Sequence, residues 1–395
     1  MVINVLIVAD HYDMQRKNPS GIYYYIFNLI KGLKKFKNIK IYTLRLMNND
    51  ELGHKDYVFT TYSYSPLSLL LRNIRLGLDS QFMELLRNID IVHLPVWGFS
   101  YIPFVLLKQL FKFKLIVTIH DIGNIILPYL YAYGYMERIG LLLSLRYLNK
   151  YVDSIIAISK STKYDLMNIA NIPEAKIQVI YNGIDEIFRP INKNYAKSYV
   201  YSKYGIDHDC IIYVGTAHPR KNLARLLLAY FIAVLRGLNH DLVLVGTVKN
   251  QLNELLNNAL LNSEKLKQYK DLILSKIKAI GYVPREDLPY LYSACDISVF
   301  LSLYEGFGFP VAEAMACGTP VIASNISSMP EIVGDAGILV NPYDIEEITQ
   351  AILKLANDID LRQELSKRAF KRSLHFKWDI TAKRTAELYY KLLAS

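Results

Sequence analysis

The chain has 395 residues, 52% of them hydrophobic, and a formal net charge of +10 at neutral pH. That length suits two or three domains of ordinary size, and the apolar content is enough for sizeable cores, which excludes a disordered or low-complexity chain. No run of 18 apolar residues suggests a membrane-spanning helix, and the three cysteines, Cys210, Cys295 and Cys317, have no metal-ligand spacing, so they read as small core residues of a protein in a reducing cytoplasm.

The first apolar run, Met1 to Ala9, lacks a basic start and passes directly into folded-looking sequence, so it reads as a core strand rather than a signal peptide. The loop from His11 to Gly21 ends in Ser20-Gly21-Ile22-Tyr23, which opens a helix whose N-terminus can face a phosphate. Helical spacing runs over 21–36 and a strand over 39–46. Lys31, Lys34, Lys35, Lys37 and Lys40 cluster here, and Lys108, Lys112 and Lys114 follow. Residues 1–185 hold 21 Lys and Arg against 14 Asp and Glu, the remainder 25 against 22. Such a face can meet anionic lipid head groups, or be no more than the basic surface of a soluble protein. No nucleic-acid-binding motif accompanies the charge. Residues 47–80 are the least readable; Pro66 to Leu78 is apolar with two arginines and reads as a packed helix rather than an acceptor-binding loop or a membrane-resting face. Strands are next predicted over 90–94, 114–119, 153–158 and 177–180, and helices over 137–150 and 160–170. His120 and Asp121 follow the strand 114–119 at its carboxyl end, where open α/β sheets bind ligands. A lone histidine there is as readily a satisfied structural residue.

Asn182-Gly183, Pro190 and the polar stretch 192–203 predict a domain boundary within 182–205. Beyond it, strands are predicted over 211–215, 241–246, 277–281, 296–301, 319–324 and 337–340. Helices are predicted over 222–236, 286–294, 310–317 and 344–357, with a last one over about 378–393. The alternation implies parallel sheets flanked by helices. Twelve strands are many for one sheet, so two doubly wound domains are expected.

Two segments of the second half carry chemistry. In Ile211 to Leu223 an apolar run ends at Gly215, and a turn presents Arg220 and Lys221 before a helix; two cations at the carboxyl end of a buried strand suit a diphosphate. In Ser302 to Ser324, Glu305 and Glu313 flank the turn Gly306-Phe307-Gly308-Phe309-Pro310. Glycines let backbone approach a ligand closely, Pro310 suits the first helical position, and the free N–H groups of that turn form an anion site. Carboxylates for hydroxyls and amides for anions suit a polyhydroxylated ligand that carries phosphate. The bland alternative is a strand-turn-helix connection with a solvated glutamate.

Pro219-Arg-Lys-Asn222 after Val-Gly, then Glu305-Gly-Phe-Gly-Phe-Pro-x-x-Glu313-Ala-Met-x-Cys-Gly-x-Pro-Val-Ile322, resembles the family 4 retaining glycosyltransferases of GT-B fold, and within them the mannosyltransferase-type enzymes that build surface glycans. The match is close from about 205 to 345; Thr118-Ile-His-Asp121, Ala157-Ile-Ser-Lys-Ser161 and Asn182-Gly-Ile-Asp185 match in scattered fashion.

The resemblance implies an α/β GT-B fold of two Rossmann-like domains facing a deep cleft. Residues 1–185 with a C-terminal helix about 378–395 would form the acceptor-binding domain, and 186–377 the nucleotide-sugar donor-binding domain. It implies that Glu305 meets the donor sugar, that Glu313, placed within the first helical turn, meets the ribose, and that His120 orients the transferred sugar. Arg220 and Lys221 would hold the diphosphate, the amides of Phe307 and Gly308 the sugar or phosphate, and backbone near Val283 the base. Family members often have a second glycine where this chain has Tyr23, which weakens close approach there, though Gly21 remains. The implied reaction moves a hexose, mannose or glucose, with retention from GDP-mannose or a UDP-hexose to a glycan or lipid-linked oligosaccharide at the cytoplasmic membrane face. No cofactor and no metal are expected: Asp207-His-Asp209 and Asp358-Ile-Asp360 read as surface turns. A sugar-nucleotide epimerase of the same fold and a non-catalytic carbohydrate-binding protein are the alternatives.

Overall fold

The computed structural model describes residues 2–9, 21–45, 56–58, 78–98, 101–130, 135–246, 251–252, 254 and 269–394. The loop His11 to Ser20 and nearly all of the Pro66 to Leu78 stretch lie outside the described residues. The chain divides into two units, Met1–Gly183 with Trp378–Ser395, and Ile184–Lys377.

The first unit carries β1 (Ile3–Val8), β2 (Ile39–Arg45), β3 (Asp56–Val58), β4 (Ile91–Leu94), β5 (Lys114–Ile119), β6 (Ser154–Ala157) and β7 (Ile177–Val179). They form one parallel sheet in the order β3-β2-β1-β4-β5-β6-β7. The second unit carries β8 (Cys210–Val214), β9 (Asp241–Val245), β10 (Ile277–Gly281), β11 (Ile297–Phe300), β12 (Val321–Ser324) and β13 (Ile338–Val340), parallel in the order β10-β9-β8-β11-β12-β13. Twelve of these strands match the expected runs; β3 falls in the stretch that gave no periodic signal. Central strands such as Val5–Val8 and Leu242–Val245 are buried throughout. Helices cover both faces of such sheets, so the strands need no polar face. In each sheet the strand order reverses once, between β1 and β4 and between β8 and β11. Ligands of doubly wound sheets settle outside the carboxyl ends at such points.

The helix Trp378–Ala394 is built into the first unit. It packs on the helix Gly21–Leu33, where a Cβ on Gly32 would come within 2.5 Å of Ala382 Cβ. Thr381 Oγ1 donates to Tyr181 O at 2.8 Å, and a Cβ on Gly183 would overlap the Trp378 backbone. Gly183 thus serves close approach of two backbones, not only a turn.

Two expectations need correcting. The polar stretch 192–203, with no element expected in it, is the helix Lys193–Tyr204 of the second unit. Asn192 caps it by accepting from Tyr195 N–H at 3.2 Å, and Gly205 ends it at φ 67°. Only Ala196 and Val200 are buried, a stripe too narrow to register as amphipathic. Cys210 and Cys295, read as separate core thiols, are joined as a disulfide; Cys317 is a buried free thiol. Their separation of 85 residues says nothing of pairing, but β8 and β11 are neighbours and bring the strand starts together. The cysteines therefore no longer argue for a reducing compartment.

Candidate active site

The loops after β8 and β11 flank the reversal point of the second sheet. After β8, His218 Nδ1 accepts from Arg220 N–H at 3.2 Å and shapes the tight turn Pro219–Lys221. Asn222, at φ 58°, ends that turn, donates from Nδ2 to Pro342 O at 2.7 Å, and starts the helix Leu223–Leu235. The second loop is stitched to the first: Leu303 N–H donates to Arg220 O at 2.7 Å.

These turns converge on Glu305. Its Oε1 accepts from Arg220 Nη1 at 2.7 Å, Lys221 Nζ at 2.5 Å and Ser302 Oγ at 2.8 Å. Arg220 Nη1 also donates to Tyr304 O at 3.0 Å, and Lys221 Nζ stands 4.8 Å from the centre of the Phe300 ring. Glu305 is 8% exposed. Burial works to raise its pKa, but the charges of Lys221 and Arg220 overcome this and hold it down at about 2. His218 is shifted downward by burial and by the same two cations. One carboxylate between two cations leaves the cluster with a net positive charge at neutral pH.

The glycine turn is held from the side. Ser327, at φ 57°, accepts from Glu305 N–H at 3.0 Å and donates to Glu305 O at 2.7 Å. Ser328 Oγ donates to Phe307 O at 3.1 Å. The Phe307 ring is core, packed on Phe309 and Phe376. Gly308 sits at φ 95°, and a Cβ there would overlap Met329 Cε. Its glycine character is thus required by the fold itself, as the N-terminal cap of the helix Phe309–Ala316. Glu313 is the fifth residue of that helix, one position past the first turn in which it was expected, because Phe309 already opens it. Its carboxylate is buried at 3.2 Å from Arg285 Nη2. Burial pushes its pKa up against the pull of Arg285. Val283 is buried, and Gly281 O already accepts from Gly246 N–H at 2.7 Å. Gly215 follows β8 directly, its N–H donating to Val245 O at 3.0 Å. Arg285 was not anticipated; its only sequence signal is its place just past Gly281-Tyr-Val-Pro284.

In the first unit, His120 follows β5, with Nε2 at 2.9 Å from Pro95 O and its ring edge-on to Tyr25 at 4.9 Å. Asp121 Oδ1 accepts from Gly123 N–H at 3.0 Å, which holds the loop. Gly21 opens the helix Gly21–Leu33 and is exposed. A second histidine was missed. His93, fully buried in β4, has Nδ1 at 2.6 Å from Tyr389 Oη and Nε2 at 2.8 Å from Thr118 Oγ1, which also meets Tyr25 Oη at 2.8 Å. Burial, then the nearby His120, lowers its pKa to about 3, so it is neutral. A single polar residue inside Ile91-Val-His-Leu94 was the available signal. Asp358 is a helix cap, accepting from Leu361 N–H at 2.8 Å. Asp207 and Asp209 precede β8, at the sheet edge opposite Glu305. Among the described residues, no helix is long and apolar enough to cross a membrane.

Residues 203–372 match the family model described as Glycosyl transferases group 1, and residues 19–187 that described as Glycosyltransferase Family 4. The chain is 31% identical over 299 residues to the O-antigen chain mannosyltransferase B of Escherichia coli, covering 71% of each. It is 32% identical over 260 residues to the serotype-specific mannosyltransferase WbdA of the same organism, covering 63% of this chain but 31% of that protein. Its fold is that of the sucrose-phosphate synthase of Thermosynechococcus elongatus, with a TM-score of 0.79, 21% identity and 99% of each chain covered. Anabaena HepE in complex with UDP aligns with a TM-score of 0.75 at 18% identity, over 99% of this chain and 100% of that one. Two Rossmann-like units of this topology are the GT-B architecture.

Proposed function

The chain belongs to the family 4 glycosyltransferases, and from that premise we propose that it moves a hexose, mannose in the first instance, from a nucleotide diphosphate sugar to a glycan or lipid-linked oligosaccharide with retention at the anomeric carbon. The observation that carries the reading is the meeting of Arg220 and Lys221 with Glu305 across the reversal point of the second sheet. As the anomeric bond breaks, negative charge gathers on the diphosphate. Fixed cations aimed there stabilise it, and removing one such group costs about 3–4 kcal/mol of barrier. Glu305 presets both cations and supplies the carboxylate for sugar hydroxyls; Glu313, paired with Arg285, takes the ribose hydroxyls in this scheme. His120 orients the sugar.

Mannose is favoured because the E. coli relatives are mannosyltransferases; a uridine nucleotide is the alternative suggested by HepE. Retention is proposed to run by front-face attack. Glu305 Oε1 is engaged by three donors and is a poor nucleophile for a double displacement. The donor phosphate oxygen would take the acceptor's proton, with no metal in the step. A basic first unit, with Leu106 and Leu110 exposed beside Lys112, suits an acceptor held at an anionic cytoplasmic membrane face.

Incubation with a panel of GDP and UDP sugars, with and without vesicles of anionic lipid, tests this. Slow hydrolysis of one donor is expected, and Lys221→Ala should lower its rate roughly a hundred- to thousand-fold while the protein stays folded. Epimerised donor, or an intact rate in Lys221→Ala, would contradict the reading. Trapping a glycosyl-enzyme would refute front-face attack, and vesicles that neither bind protein nor change the rate would remove the membrane part.

A further inference from the structure

The segment Asp207-His208-Asp209 plays no part in the site above, yet its Asp209 belongs to a second constellation. We propose that Asp209, His240 and Asp296 bind one divalent transition-metal ion at the amino edge of the second sheet. Asp209 stands just before β8, His240 just before β9 and Asp296 just before β11. One ligand atom from each lies within 4.8 Å of the other two.

The side chains themselves point to a ligand. His240 and Asp296 are more than nine-tenths buried. Neither His240 Nε2 nor Asp296 Oδ2 has a hydrogen bond, although they face each other at 3.5 Å. Buried polar atoms are rarely left so. The separation is long for an N–H···O bond, which runs about 2.7–3.2 Å. It suits two donors each about 2.0–2.1 Å from a shared tetrahedral ion, which stand roughly 3.3 Å apart.

The charges select the ion. Lys193 takes Asp296 Oδ1, and Lys197 takes an oxygen of Asp209 at 2.6 Å. These cations offset the two carboxylates, so hard Mg²⁺ and Ca²⁺ gain little. An imidazole with two carboxylates favours Zn²⁺, Co²⁺ or Ni²⁺. A cavity of about 480 Å³ that Lys193, Cys295 and Asp296 help line gives access at the same edge. The ion would lie at the opposite end of the sheet from Glu305 and clamp the starts of β8, β9 and β11, two of which the Cys210–Cys295 pair already joins. Its effect is on the rigidity of the sheet that carries Arg220, Lys221 and Glu305, not on the transfer step.

The test uses the full chain, stripped with chelator and titrated with Zn²⁺ and Co²⁺ by calorimetry, visible absorption and thermal unfolding. One ion per chain is expected, with tetrahedral Co²⁺ bands and a rise in Tm that grows with metal concentration. Asp209→Asn, at an exposed position that folding tolerates, and His240→Gln should each weaken binding at least tenfold. His208→Gln should not, since it belongs to the neighbouring Asp207, His208 and Asp241 group. Absence of saturable binding overturns the proposal. So does binding that survives both Asp209→Asn and His240→Gln, or that is lost in His208→Gln alone.

Discussion

Glu305 shows how one residue ties stability to the proposed chemistry. Its carboxyl is held at about 2 against an ordinary value of 4.5, because Lys221 and Arg220 outweigh the cost of burial. A folded pKa below the unfolded one gives stability that is whole above about pH 4.5 and drains away as the pH falls through 2. A shift of that size is worth on the order of 3 kcal/mol. Glu305→Gln should therefore be the less stable protein at pH 7, and urea unfolding near pH 2.5 should find most of that gap closed. A gap independent of pH would mean that the charge interaction contributes nothing. Glu313 has the opposite sign. Burial raises its pKa, so its ionised form costs stability at neutral pH.

At the scale of elements, two glycines separate function from packing. Gly308 lies at φ 95°, and an added Cβ would meet the end of the flexible Met329 side chain. Gly308→Ala should cost about 1–2 kcal/mol, mostly backbone strain. An added Cβ on Gly183 would instead meet the backbone of Trp378, which has no way to yield without moving the whole helix Trp378–Ala394. Gly183→Ala should be the more damaging change, with a Tm drop at least twice that of Gly308→Ala in thermal unfolding. An equal or smaller drop would show that the helix is free to shift. His93, in β4, bears on the same helix, since its bond to Tyr389 anchors that helix from inside the sheet.

At the scale of the molecule, the second unit is one continuous segment, whereas the first is closed by the chain's last helix. Expressed alone, 184–377 should fold and bind the donor nucleotide, while 1–183 without 378–395 should lose the cover over Tyr25 and His93 and fail to give a cooperative transition. Calorimetry of the two pieces decides this; a stable 1–183 would dissociate the last helix from the first core. Much of the architecture was legible because it is local. Short apolar runs alternating with helical patterns gave twelve strands, and Arg220, Lys221, Glu305 and Glu313 stood out because strand-turn-helix chemistry is written within a dozen residues. The helix Lys193–Tyr204 was not legible, since two buried side chains give too weak a stripe. Nor were the partners of Glu305, His93, Cys210 and His240. Three are chosen by strand order and that of His93 by the packing of the last helix, which set residues 56 to 296 apart side by side. Periodicity along a chain reports which residues share a face; only the closing of the sheets decides which faces meet.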